Sequence, residues 1–181
     1  MTHVAATEPY AWPYDGRLAG GHLALVLSGW DEGWCSRSIA PEPVLRRCTD
    51  LARAVAAAGG VVATVAQGGV ALPSPAAGPA VVTPAIDGLH ASPLDDTLRA
   101  LGRTHLLVAG FGLEGPVHST LRSANDRGYE CLLVVDACAA LTDELAPASA
   151  KTVTMSGGIF GAVGTTEHVL AALAPLATPA P

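Results

Sequence analysis

The 181-residue sequence holds a single lysine, Lys151, beside nine arginines, and only 14% of its residues are charged. Phosphate recognition needs clustered cations, so ten basic residues under a net charge of −6 exclude a nucleic-acid surface. Charge this sparse, in a chain half hydrophobic with a mean hydropathy of +0.38, also excludes a disordered polyelectrolyte. Long apolar runs are missing as well. No stretch approaches the roughly 18 residues of a membrane span, and no basic-then-apolar leader opens the chain, so no membrane partner is expected. The four cysteines, Cys35, Cys48, Cys131 and Cys138, show no C-x-x-C spacing, which argues against a disulfide framework and a zinc site. The expectation is a cytoplasmic protein with no metal and no cofactor. Aromatic residues make up only 4% of the chain, yet Tyr10, Trp12 and Tyr14 crowd into its first 21 residues.

What is present is an alternation of buried strands and amphipathic helices. His22–Ser28 is a near-continuous apolar run, the mark of a strand covered on both faces. Val61–Ala66, Ala80–Val82, His105–Gly110, Glu130–Asp136 and Phe160–Val163 read as five further strands. Between them, helical spacing runs over Pro43–Ala58, Pro93–Leu101 with Ser92 as N-cap, Pro116–Arg127, Thr142–Ser156 and Thr166–Ala174. Strands alternating with helices of this length form β-α-β units, hence a parallel sheet between helices in a three-layer α/β/α sandwich. The reading divides the chain into an N-terminal arm, 1–21, a single domain, 22–175, and a flexible tail, 176–181. Ligands of such sheets sit beyond the carboxyl ends of the strands, which directs attention to Ser28–Cys35, Thr83–His90 and Phe111–Ser119. The glycine-rich stretch Gly157–Gly164 lacks a phosphate-loop lysine and reads as tight strand packing.

Three stretches resemble the isochorismatase-like cysteine hydrolases, and especially their biuret-hydrolase branch. They are EPYAWPYDGRL at Glu8–Leu18 with the strand LALVLS behind it, THLLVAGFGLEGPVHSTLRSANDRGYECLLVVDA at Thr104–Ala137, and TVTMSGGIFGAVGTTEHVLAAL at Thr152–Leu173. The resemblance implies a six-stranded parallel sheet and a homo-oligomer. It also implies amide hydrolysis by an Asp–Lys–Cys triad, and each position of that triad departs here. The Asp position falls on Ser28 in VLSGWDEG, the Lys position on Thr83 in VVTPAIDGL, and the Cys position on Pro116 in AGFGLEGPVHST. Glu114, His118 and Thr120 keep the surrounding pattern.

The replacements remove the chemistry as they stand. Pro116 has neither a nucleophilic atom nor a backbone N–H to serve as an oxyanion donor, although proline suits a first helical turn. Ser28 is no carboxylate base, and Thr83 supplies no cation. About fourteen residues separate Ser28 from the first expected helix, so the loops also look trimmed around the site. The expected role is a degenerate family member that binds or scaffolds, as a homo-oligomer or beside an active paralogue, with a small-molecule ligand as a further option.

Other residues remain candidates for a repurposed chemistry. His118, with Glu114 or Asp31, is a candidate acid–base pair, against the plainer reading of a helix residue inherited from the family pattern. Asp31 and Glu32 with His118 are weighed as cation ligands and set aside for want of paired spacing. Cys35 is a candidate relocated nucleophile, against a partly buried structural thiol; Cys48 and Cys131 read as core, and Cys138 as facing the site or ordinary packing. Trp30, Gly112, Leu113 and Gly115 are expected to line the pocket, while Trp30 and Trp34 are also candidates for an oligomer interface. The aromatic arm Pro9–Leu18 is expected to pack on a neighbour or across its own domain.

Overall fold

The computed structural model describes residues 3–177. Six strands form one parallel sheet: β1 (Leu23–Ser28), β2 (Val61–Ala66), β3 (Ala80–Val82), β4 (His105–Phe111), β5 (Glu130–Ala139) and β6 (Ala162–Gly164). Their order across the sheet is β3-β2-β1-β4-β5-β6, with β1 central and paired to both β2 and β4. Six helices accompany them: α1 (Glu32–Arg37), α2 (Pro41–Ala57), α3 (Leu94–Ala100), α4 (His118–Asp126), α5 (Leu145–Gly158) and α6 (Thr166–Leu173). None of the described helices is long and apolar enough to cross a membrane.

The alternation of β1 explains the three layers. Leu23, Leu25 and Leu27 point to one face and pack with Val44, Leu51 and Val55 of α2 and Val169 of α6. Ala24 and Val26 point to the other and pack with Leu94 and Leu98 of α3, Leu121 of α4 and Val153 of α5. Period-two side chains on a strand covered by helices on both faces produce the unbroken apolar run of the sequence.

Several boundaries differ from the expectation, each for a local reason. β5 runs three residues further, to Ala139, because its pairing with β4 slips between Val108↔Leu133 and Gly110↔Cys138 and then resumes. α2 starts earlier, at Pro41, so that Pro41 and Pro43 both occupy the first turn, where their missing donors go unneeded. α5 begins at Leu145, which puts Pro147 in its first turn; helical geometry is lost at Met155–Gly157. β6 begins at Ala162, two residues after Phe160. Ser92 lies one residue outside the cap of α3, its Oγ accepting from Leu94 N at 3.3 Å and donating to Gly88 O at 2.6 Å.

The arm packs across its own domain. Val4 and Trp12 pair with each other, Glu8 pairs antiparallel with Val163 on the outer edge of β6, and Trp12 is fully buried. Burial does not extend to the whole aromatic cluster: Tyr14 is 79% exposed. The expected flexible tail lies outside the described residues from 178 onward; Ala174–Leu176 forms a last helical turn.

Candidate functional site at the carboxyl edge

Strand order reverses between β1 and β4, which makes the carboxyl ends of these strands the natural ligand crevice of the fold. Ser28 ends β1 there, Thr83 follows β3 directly, and Pro116 lies one helical turn before Thr120. The three share an edge as expected, but the space between them is packed. Ser28 is fully buried, its Oγ 3.0 Å from Thr120 Oγ1 and accepting from Gln67 Nε2 at 3.0 Å. Gln67 Oε1 accepts from Gly29 N at 2.8 Å, and Thr120 Oγ1 accepts from Gly88 N at 2.9 Å. Gly88 sits so close that a Cβ there would lie 3.0 Å from both Thr120 Oγ1 and Val65. Thr83 is likewise buried and staples its own loop, donating to His90 O at 2.9 Å and accepting from Ala85 N at 3.2 Å. Hydrogen bonds run through the cluster, which is how a buried polar group avoids its desolvation penalty, and the buried Asp31 carboxylate borders it by accepting from Gln67 N.

Pro116 reshapes the helix entry. With no N–H at Pro116, the Gly112 carbonyl is bonded instead by Gly115 N at 2.9 Å and Val117 N at 3.3 Å. The i→i−5 contact opens a π-helical turn over Leu113–Val117 before α4 begins. Gly112 has φ +67, and a Cβ there would meet Trp34 at 2.5 Å and Pro116 at 2.8 Å. The Trp34 indole thus lies over Gly112 and Gly115, with the Arg37 guanidinium stacked 4.3 Å from its ring. The segment after β1, expected as a short loop, holds α1, which carries Trp34 into this place.

Asp31 positions that helix. Its Oδ1 accepts from Trp34 N at 2.9 Å and its Oδ2 from Gln67 N at 2.9 Å. Both oxygens are therefore committed to backbone, and the carboxylate is buried. His118 lies elsewhere: it packs edge-on against Phe160 at 6.3 Å, and burial with the nearby Arg122 charge holds its pKa below the usual imidazole range. Glu114 Oε1 accepts from Leu141 N at 2.9 Å, and its Oε2 is buried without a partner. Among the described residues, no group of three or more His, Cys, Asp or Glu side chains is placed to hold a metal.

Two expected pocket walls are core residues instead. Trp30 is buried, stacked on Phe111 at 5.5 Å and donating from Nε1 to Pro73 O at 3.0 Å; Leu113 is buried in the opposite layer. Cys35 is partly buried, and burial together with Glu42 and Asp31 raises its thiol pKa, the wrong direction for a nucleophile. Cys48 and Cys131 are buried, and burial raises the Cys138 thiol as well. Among the described residues, surface clefts of about 220–380 Å³ include one of about 330 Å³ at the carboxyl end of β5, lined by Ile39, Cys138 and Ala140, and none of these is lined by Ser28, Thr83 or Pro116. Sequence reasoning missed Gln67. Its available signal was position: it is the first polar residue after a buried strand on this edge.

The isochorismatase domain model matches residues 24–168, most of the chain. The chain belongs to the isochorismatase family. Solved structures agree in fold. A cysteine hydrolase from Pseudomonas syringae pv. phaseolicola superposes with a TM-score of 0.78 at 17% identity, over 88% of this chain and 95% of that one. An isochorismatase family protein from Burkholderia thailandensis gives 0.70 at 24% identity, over 84% and 96%. A ribonuclease from Caenorhabditis elegans gives 0.72 at 19% identity, over 88% and 84%. Proteins described by different activities thus share this isochorismatase-family sheet, so function has to be argued from the site.

Proposed function

We propose that this isochorismatase-family chain is a catalytically degenerate member, descended from the biuret-hydrolase branch, that acts as a binding or scaffold subunit. It works as a homo-oligomer or beside an active paralogue. Four free cysteines suit a reducing, cytoplasmic setting.

One observation carries the reading: the residues at the aligned triad positions are occupied with one another's neighbourhood rather than with open space. Ser28 is bonded to Gln67 and Thr120, Thr83 to its own loop, and Pro116 lies buried beside Gly112 under the Trp34 helix. The Ser28–Gln67–Thr120 cluster holds no ammonium or thiolate, and the Asp31 carboxylate beside it accepts from Gln67 N and Trp34 N, so covalent amide hydrolysis has no nucleophile there. Removing one oxyanion donor alone costs on the order of 10²–10³ in rate, and Pro116 lacks that N–H as well.

A repurposed enzyme is the second reading, favoured by one feature: the buried, unpartnered Oε2 of Glu114. The His118 that would complete an acid–base pair packs against Phe160.

The test is turnover of biuret, ureido acids, nicotinamide and isochorismate-type vinyl ethers by the purified protein, expected at background. Turnover abolished by Glu114→Gln, His118→Ala or Cys35→Ala would establish the second reading and end the first. Light scattering alone and with a triad-bearing homologue should show an assembly; a monomer in both cases would remove the scaffold role.

A further inference from the structure

We propose that the outer face of α1, at the carboxyl edge of the sheet, is a self-complementary docking surface that joins the chain to a second copy of itself about a two-fold axis. The proposal rests on the homo-oligomer reading above and names the surface that carries it. None of the six residues of α1 is fully buried. Its inner side is Trp34 and Cys35, both half-buried, with the Trp34 ring laid against Gly112 and Gly115. At about 100° per residue, Glu32, Gly33, Ser36 and Arg37 then share the opposite side. All four are exposed.

Charge selects the occupant. Glu32 and Arg37 stand at opposite ends of this face, and among the described residues neither lies within 4 Å of an opposite charge. A two-fold axis passing between Gly33 and Ser36 lays a second α1 antiparallel on the first. Glu32 then meets the partner's Arg37, and Arg37 meets the partner's Glu32, so both charges are answered by one operation. A parallel placement sets Glu32 on Glu32 and Arg37 on Arg37, which like-charge repulsion forbids. The small side chains of Gly33 and Ser36 lie at the middle, where the two backbones must approach most closely.

The surroundings of α1 repeat the pattern. Val70 lies at the Glu32 end, its carbonyl accepting from Glu32 N at 2.9 Å, and Ile39 lies at the Arg37 end, its N–H donating to Ala140 O at 2.9 Å. The same antiparallel pairing sets Val70 against the partner's Ile39. A six-residue helix covers far less than the roughly 800 Å² that each partner of a stable interface buries, so an apolar rim is required. Ile39, Val70, Ile86 and Leu145, each 37–66% exposed, supply it on this edge. The face is also pre-organised: Asp31 caps α1, Arg37 Nε donates to Gly33 O at 2.8 Å, and the Arg37 guanidinium stacks on Trp34. Little ordering is left to be done on association.

Sedimentation velocity of the intact chain at low salt tests the surface by charge exchange. The parent should form a dimer with Kd below about 10 μM. Arg37→Glu and Glu32→Arg, which each place two like-charged pairs across the axis, should each weaken it at least about ten-fold. The double variant Glu32→Arg/Arg37→Glu restores both pairs with their signs exchanged and should recover the dimer. Circular dichroism of all three should match the parent, because both side chains are exposed, which separates lost association from lost folding. A parent that stays monomeric, or that assembles only with a triad-bearing homologue, overturns the second-copy proposal. A dimer indifferent to both reversals, or reversals that the exchange does not rescue, overturns the α1 surface and leaves the homo-oligomer reading standing. The degenerate reading is decided separately, by turnover.

Discussion

The two ends of the parallel sheet are built on opposite plans. At the carboxyl edge, where open α/β sheets usually hold their ligands, this chain has packed the network Ser28–Gln67–Thr120–Gly88, bordered by the buried Asp31 carboxylate, with Trp34 laid over the entry to α4. At the amino edge it has left a cleft with an imidazole on the floor and two carboxylates on the walls. One edge satisfies every polar atom of that network with a neighbour. The other sets His105 Nε2 at 3.7 Å from a half-exposed Asp15 in a cleft open to solvent. The contrast shows that a fold's customary ligand position is a property of its topology, while a few side chains decide which part of an edge is filled: the ends of β1 and β2 are packed, and a cleft of about 330 Å³ opens at the end of β5.

The sharpest way to break the comparison is to charge the closed edge. Ser28→Asp puts a carboxylate where the side chain is fully buried and no cation faces it. Denaturant unfolding should show a loss of about 3–5 kcal/mol, the usual consequence of an uncompensated buried charge. A stability within error of the parent would mean that the edge accommodates a carboxylate at this position. Gln67→Ala comes next. It strips partners from Ser28 Oγ and Gly29 N, and should lower stability by about 1–3 kcal/mol, the desolvation penalty of groups left unpaired.

The pH dependence sharpens the same comparison. Burial lowers the pKa of His105 against the partial pull of Asp15 and Glu130, while burial and Arg122 lower that of His118. A folded-state pKa below the unfolded value of about 6.5 means that the unfolded chain takes up protons first. Stability is therefore full above that value and declines as pH falls from it toward the folded pKa. Hydrogen exchange between about pH 7.5 and 5 should show protection lost around Trp12 and the start of β4 before it is lost at Gly88. Simultaneous loss at both edges would show that they open as one unit. The smallest effect belongs to Tyr14→Ala: the ring is 79% exposed, so stability should move by less than about 0.5 kcal/mol.

Much of the architecture was legible in the residues. β2, β3, β4 and β5 start at the residues expected, and β1 and β6 within two, because strands buried on both faces must be apolar without interruption. Helix limits were less legible beside proline: the helix expected from Pro43 starts at Pro41, and the one expected from Thr142 starts at Leu145, with Pro147 in its first turn. At the site, the resemblance directed attention to Ser28, Thr83 and Pro116, and all three lie at the carboxyl edge. The packing that follows was not. Nothing in the short stretch after Ser28 announced a helix, because six residues carry too little periodicity to separate α1 from loop. Trp30 and Trp34 looked alike in sequence and parted in space, one stacking on Phe111 inside the core and the other covering Gly112.

The residues alone determined the layered α/β class, the identity of the buried strands and the chemical types present at the carboxyl edge. Those follow from local pattern and composition, which act within a few residues along the chain. Tertiary structure decided which groups meet. Gln67 reaches Ser28 across 39 positions, Thr120 reaches it across 92, and Tyr14 reaches Glu130 across 116. Such pairings are set by strand order and register, and no local propensity encodes them. The closed edge and the open one are consequences of that order: the same few polar residues, placed one strand away, would have found other partners.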